Sequence, residues 1–151
     1  MTGLKGGGIM KLVRAISKQA LSKVAEIVVA ANPNRESSSF RFNARYYMLI
    51  ENRIIKAVVG LRRLSWYLTE IKHLAVPQRF RGRGYGKRAV LEALKKARTP
   101  TVCATVRVDN NVSLNLFLRC GFRPVMEFDG QSGKVLLMFN KVHEEAGNEK
   151  N

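Results

Sequence analysis

Apolar residues at positions 9, 12, 13, 16, 20, 24, 27, 28 and 31 fall at the spacing of one helix face. They predict a single amphipathic helix that ends at Asn32-Pro33-Asn34, where proline forbids continuation. Residues 36–39 are polar loop. Two β-rich runs, 40–50 and 54–66, are separated by Glu51-Asn52-Arg53 and predict an antiparallel hairpin. A turn at 67–69 leads to a third strand, 70–76. A glycine-rich segment and then a helix over 89–98 follow, with Val90, Leu91, Leu94 and Ala97 on one face. Residues 101–108 alternate, which places Val102, Ala104, Val106 and Val108 on one side of a strand. Asp109-Asn110 caps a short helix, 111–120, and Gly121 stops it at the usual position. Two last strands, 122–128 and 134–142, are joined around Gly130 and Gly133.

The order is helix, three strands, helix, strand, helix, two strands. Hairpins around a strand–helix–strand unit imply a mixed central sheet flanked by helices, an α/β (α+β) fold. One domain over 9–142 is expected. Residues 1–8, with four glycines, and residues 143–151, which are polar, are expected to be flexible ends.

Composition sharpens this only in part. At 151 residues and 46% hydrophobic content the chain is long and apolar enough for a folded core. Its 27 Lys plus Arg against 11 Asp plus Glu give a formal charge of +16. Such a field draws nucleic acid, anionic surfaces and phosphorylated ligands, and repels cations. Cys103 and Cys120 have no His or Cys at metal spacing, so no metal site is expected and the thiols are assigned to the core. No apolar run approaches the roughly 18 residues of a membrane span, and the first ten residues lack a signal-peptide core. A soluble cytoplasmic protein without membrane association is expected; its oligomeric state is left open.

The candidate chemistry centres on Val76-Pro77-Gln78-Arg79-Phe80-Arg81-Gly82-Arg83-Gly84-Tyr85-Gly86-Lys87-Arg88. A strand, a glycine-rich turn and a helix N-terminus together form an anion site, because backbone N–H groups and the helix dipole point at the same place. A dinucleotide fingerprint fits poorly, since the acidic residue expected about 20 positions on is absent. A disordered Arg/Gly RNA-binding segment fits poorly as well, because this one sits between a strand and a helix.

These residues resemble the signature of the GCN5-related N-acetyltransferases: Arg or Gln, two residues, Gly, one residue, Gly or Ala. Arg81, Gly84 and Gly86 meet it. The family's second signature, Asn, an aromatic seven residues on, then Gly-Phe, is met by Asn110, Phe117 and Gly121-Phe122, with Ser113 where a small residue is usual. The resemblance covers about residues 40–142; before Phe40 there is one helix and no evident first strand, a shortened N-terminal part. It implies acetyl-CoA as acyl donor, bound by Leu74, Ala75, Val76, Arg81, Gly82, Arg83, Gly84, Tyr85, Gly86, Lys87, Asn110, Ser113 and Phe117. It also implies that 74–76 pair with the pantetheine as an added strand, and that the Leu74 amide polarises the thioester carbonyl.

Counted back from the glycines, Glu70 falls where the histone-acetyltransferase branch has its general base. It is equally well read as a strand-edge carboxylate beside one of many arginines. His73 is a second base candidate or a packed strand histidine. At Phe117 many members have a tyrosine that protonates the departing thiolate, and phenylalanine cannot. A thiol of pKa about 8.5 leaves at a cost of about 2 kcal/mol or less without an acid.

Three readings remain at this point. The first is direct acetyl transfer to a primary amine, on a protein or carried by RNA in preference to a free polycation, because the charge disfavours cations. The second is an acyl-CoA-binding regulator of the same fold with weak or no turnover. The third is a basic nucleic-acid-binding module, with Phe40, Phe42, Tyr46 and Tyr47 stacking on bases or forming sheet core.

Overall fold

The computed structural model describes residues 9–32, 41–131 and 133–142. Its elements are β1 (Lys11–Arg14), α1 (Lys18–Ala31), β2 (Arg45–Glu51), β3 (Ile54–Arg63), β4 (Leu68–Ala75), α2 (Tyr85–Lys96), β5 (Thr101–Arg107), α3 (Asn111–Arg119), β6 (Arg123–Gly130) and β7 (Gly133–Lys141). A single 3-10 turn, Gln78–Phe80, lies between β4 and α2. The seven strands form one mixed sheet in the order β1-β2-β3-β4-β5-β7-β6, antiparallel throughout except for the parallel pair β4–β5.

Two apolar clusters sandwich the sheet. On one face α1 sends Val24 and Val28, both fully buried, against Tyr46, Met48, Val58 and Ala75. Each such side chain contributes about 1.5–3 kcal/mol when fully buried. On the other face α2 and α3 bring Ala89, Val90, Ala93 and Phe117 against Val59, Ile71, Val102 and Phe122. The two sheet halves are tied at one end by a buried hydroxyl chain. Thr99 Oγ1 donates to the Thr101 carbonyl at 2.9 Å, which leaves Thr69 Oγ1 to donate to Thr99 at 2.7 Å.

The single helix expected from residue 9 is instead a strand and a shorter helix. Residues 11–14 pair with 47–50 of β2, so a first strand is present. Ser17 caps α1, its side chain accepting from the Ala20 N–H at 3.0 Å. Apolar positions 12, 13 and 16 fit a helix face by spacing, but Leu12 is buried while Val13 and Ile16 are exposed. A four-residue strand is too short for its period to show. Later differences are smaller. β2 starts at Arg45, with Phe40 outside the described residues; β3 ends at Arg63; β4 starts at Leu68. The helix expected over 89–98 begins four residues earlier, at Tyr85, inside the glycine motif, and ends at Lys96. The expectations for 1–8 and 143–151 fall outside the described residues.

Candidate active site

The glycine motif closes the C-terminal end of β4. Backbone bonds from Phe80 to Pro77 and from Arg81 to Gln78 wind the 3-10 turn, and Arg81 Nε reaches back to the Val76 carbonyl at 3.0 Å. The Arg81 side chain therefore braces the loop it opens. Phe80 is buried beneath Lys56, whose ammonium stands 4.0 Å from the ring centroid, and packs edge-on to Tyr85. Tyr85 in turn donates to Glu51 Oε1 at 3.2 Å, which anchors the start of α2 to the β2–β3 turn. Desolvation, and then the Glu51 carboxylate, push the Tyr85 phenol above its usual pKa.

Gly82 and Gly84 have φ of +77° and +84°, and a Cβ at either would meet nothing within 4 Å. Their glycine requirement is conformational, and the space beside them is open. Gly84 caps α2, leaving the N–H groups of Tyr85, Gly86 and Lys87 with no carbonyl a turn behind them. Arg83 and Lys87 are exposed beside this N-terminus. An open cradle of backbone donors flanked by cations suits the pyrophosphate of CoA. Gly86 has a different role: a Cβ there would lie 2.9 Å from Leu116 Cδ1, so its bareness lets α2 approach α3.

Upstream, β4 is registered to β5 over three residues only, Leu68, Thr69 and Glu70. Beyond Glu70 the strands part, β5 continuing in register with β7 and β4 with β3. The β3–β4 ladder slips between Gly60↔Lys72 and Val58↔Ala75, so His73 and Leu74 together oppose Val59. This is a β-bulge, and it reverses the parity of the strand. Ile71 packs with the α2 cluster, whereas Ala75, four residues on, packs with the α1 cluster. Leu74 contacts the α2 cluster, as does Val76 at the foot of the loop. His73 sits in the bulge at φ +56°. A left-handed backbone at a non-glycine residue costs about 1–2 kcal/mol.

The bulge brings the imidazole to Tyr46 on β2. The phenol oxygen is 2.9 Å from His73 Nδ1, and the two rings stack with centroids 5.8 Å apart at 19°. The same hydroxyl lies 3.2 Å from the Arg41 carbonyl and 3.5 Å from Asn43 Oδ1. Glu70, Ile71, Lys72, His73 and Thr105, together with Arg41 and Asn43, line a cleft of about 300 Å3 at the point where β4 and β5 part. Glu70 is opposite Arg62 on β3 and Cys103 on β5. A larger cleft of about 600 Å3 runs between α1, the β2–β3 turn and residues 76–81; Lys23, Arg53, Arg79 and Arg81 line it with a single carboxylate, Glu26. The smaller cleft holds the proton-accepting side chains, and the larger is a basic flank of the loop.

The remaining expected residues lie on α3. Asn110 caps it, accepting from the Ser113 N–H at 3.2 Å. Phe117 is buried, its ring edge-on to Phe122 at 5.1 Å, a core position. Both cysteines are buried and free. Burial, and then the Glu70 carboxylate, push the Cys103 thiol to about 11, and burial raises that of Cys120. Neither is a ready nucleophile. Among the described residues no three His, Cys, Asp or Glu side chains gather as a metal site, and no helix is long and apolar enough to cross a membrane. The sequence named Tyr46 as sheet core or a stacking aromatic and had no means of pairing it with His73, 27 residues away.

The family model described as acetyltransferase (GNAT) family matches residues 11–122. The chain belongs to that family, an acyltransferase class whose donor is acetyl-CoA. No curated protein matches the chain in sequence. Among solved structures, it resembles a GNAT family acetyltransferase from Elizabethkingia anophelis with acetyl-CoA bound, at TM-score 0.72 and 16% identity over 87% of this chain and 97% of that one. A Bacillus subtilis acetyltransferase in complex with CoA gives 0.74 and 16% over 88% and 99%. The ribosomal-protein-S18-alanine N-acetyltransferase of Escherichia coli gives 0.73 and 15% over 93% and 98%. At these identities the likeness speaks for the fold.

Proposed function

We propose that this chain passes the acetyl group of acetyl-CoA directly to a primary amine carried on a protein or an RNA. The observation that carries the reading is that Glu70 and His73 line one cleft where β4 leaves β5, on the strand that ends in the glycine cradle. In the reaction the amine nitrogen bonds to the acetyl carbon, the carbon–sulfur bond breaks, CoA leaves as its thiolate, and the amine proton passes to a base.

The chain's own groups divide this work. The first-turn amides of α2, with Arg83 and Lys87, hold the phosphates. The stretch of β4 beyond Glu70, with Leu74 and Ala75, offers backbone to the pantetheine, and the Leu74 amide is the donor for the thioester oxygen. Among the described residues, Glu70 and His73 are the proton-accepting side chains that line this cleft. No acid stands at Phe117, and a thiolate of pKa about 8.5 needs little help at neutral pH.

The acceptor preference rests on charge. The cleft sets Arg41 and Lys72 against Glu70, on a chain of net charge +16. A polycation is repelled there, whereas one amine on an acidic or phosphate-bearing carrier is not. An α-amino group of pKa about 7.8 also loses its proton at pH 7 for about 1 kcal/mol, against about 4.6 for a lysine.

The test is incubation with acetyl-CoA and a panel of free polyamines, proteins and aminoacyl-tRNAs, read by mass spectrometry. One acetyl group added to a protein or an aminoacyl end is expected. Acetylation of polyamines alone overturns the acceptor assignment, and no transfer to any amine overturns the reaction.

A further inference from the structure

We infer that the β3–β4 turn is a dock for single-stranded nucleic acid, with Trp66 and Tyr67 stacking on bases and the cations around them meeting phosphates. Trp66 is the only tryptophan of the chain and is 72% exposed. Tryptophan is mostly buried in folded proteins, so one left in water on a turn is informative. Tyr67 is 48% exposed, and the two rings meet edge to face with centroids 5.2 Å apart at 71°. The turn beneath them is fixed by its backbone. The N–H groups of Leu64 and Ser65 donate to the Leu68 carbonyl at 2.9 and 3.2 Å, and the Tyr67 carbonyl accepts from the Thr101 N–H at 3.1 Å. The Tyr67 N–H donates to Ser65 Oγ at 3.3 Å. The rings therefore stand on an ordered support, which lowers the entropy lost on binding.

Cations frame the pair. Arg63 closes one side of the turn, its Nε donating to the Ser65 carbonyl at 3.1 Å. Thr101 is registered to Leu68 on one side and to Lys141 on the other. Lys96 at the end of α2, the following Arg98, and Lys141 therefore reach the same end of the sheet. All four cations are exposed, and among the described residues none of them forms an ion pair with a carboxylate. Charge and shape then select the partner. A stable protein interface takes about 800 Å2 of each partner around an apolar core, and this turn offers three exposed apolar side chains, Leu64, Trp66 and Tyr67. A stacked base needs only a ring face, and its phosphates take up the cations. In a duplex the base faces are already covered, so a single strand fits. Tyr67 is three residues before Glu70, about 10 Å along the strand direction. A strand held here can place its end in the cleft; that consequence rests on the transfer reaction proposed above, whereas the binding does not.

The test needs no acetyl-CoA. An oligouridine of about 12 nucleotides should quench the fluorescence of the single tryptophan. Its affinity should fall with salt at a log–log slope of about −3, as four phosphate contacts require. Trp66→Ala, at an exposed turn position, should leave the melting temperature unchanged and weaken binding by about 5- to 150-fold, read by anisotropy of the labelled oligonucleotide. Trp66→Phe should recover most of that loss. Arg98→Gln should reduce the slope by about 0.7 and leave the quench at saturation intact. Oligothymidine DNA should bind about as well, since a ring face does not read the 2′-hydroxyl, and duplex RNA far more weakly. Oligouridine that binds without quenching, that binds equally well in Trp66→Ala, or that binds no better than the duplex would overturn the inference. So would a blue shift on phosphatidylserine vesicles with no response to oligouridine, which gives the turn to a membrane surface. Self-association lost in Trp66→Ala with no effect on oligouridine overturns it too, and gives the turn to a second copy of the chain. Should no amine be acetylated at all, the reaction fails while the dock is still decided by the quench.

Discussion

Gly60 lies directly beneath the ring of Tyr46: a Cβ there would stand 2.9 Å from Tyr46 Cε1 and 3.0 Å from the Lys72 carbonyl oxygen. Neither atom belongs to a freely moving side-chain end, since Tyr46 is fully buried and Lys72 O is backbone. Gly60→Ala should therefore destabilise the protein by about 1–3 kcal/mol, measured by denaturant unfolding. It should also lower activity, because the displaced ring carries the hydroxyl that meets His73.

The motif glycines should behave in two ways. Gly84→Glu puts a carboxylate and a strained backbone into the open cradle, and titration calorimetry should show CoA binding abolished; unchanged affinity would remove the cofactor assignment. Gly86→Ala displaces only the far end of Leu116, and alanine regains helix propensity of about 1 kcal/mol. Its thermal stability should stay close to that of the parent.

Glu70→Gln preserves shape and removes charge. Glu70 lines the cleft where β4 leaves β5, so with its carboxylate as the base kcat should fall by about 10²- to 10⁴-fold, read from steady-state kinetics on the acetylated amine. Full activity in this variant would take the base role away from Glu70.

Cys103 should resist alkylation in the native protein and react once unfolded, because burial and Glu70 hold its thiol at about 11. The raised pKa also sets a sign for pH dependence. The unfolded thiol ionises from about 8.5, the folded one later, so this contribution is present below 8.5 and is lost as pH rises through 11. Thermal melts from pH 8 to 11 check it. Cys103→Ser should leave transfer intact, as expected of a reaction without an acyl-enzyme.

Most of the sheet was legible because its strands are long enough to show their period: residues 101–108 alternate, and Val102, Ala104 and Val106 are buried in register with β7. The glycine motif located the cradle for a related reason, since φ > 0 and close approach restrict residue identity. β1 was hidden because four residues fit either period, and only its pairing with β2 distinguishes them. The His73–Tyr46 pair was hidden because a bulge inserts one residue without marking the sequence. By simple alternation His73 shares a face with Ile71, on the α2 side, and Tyr46 belongs to the α1 side.

The short register between β4 and β5 also bears on thermodynamic linkage. Only three residues of each strand join the four-stranded and three-stranded ladders, alongside the Thr69–Thr99 hydroxyl chain. A donor paired with β4 beyond Glu70 in the way proposed above would bridge that seam in the folded chain and have nothing equivalent to bind in the unfolded one. The melting temperature then becomes a readout of the acyl-donor pool, rising by an amount that corresponds to about 2.7 kcal/mol at a hundredfold excess over Kd.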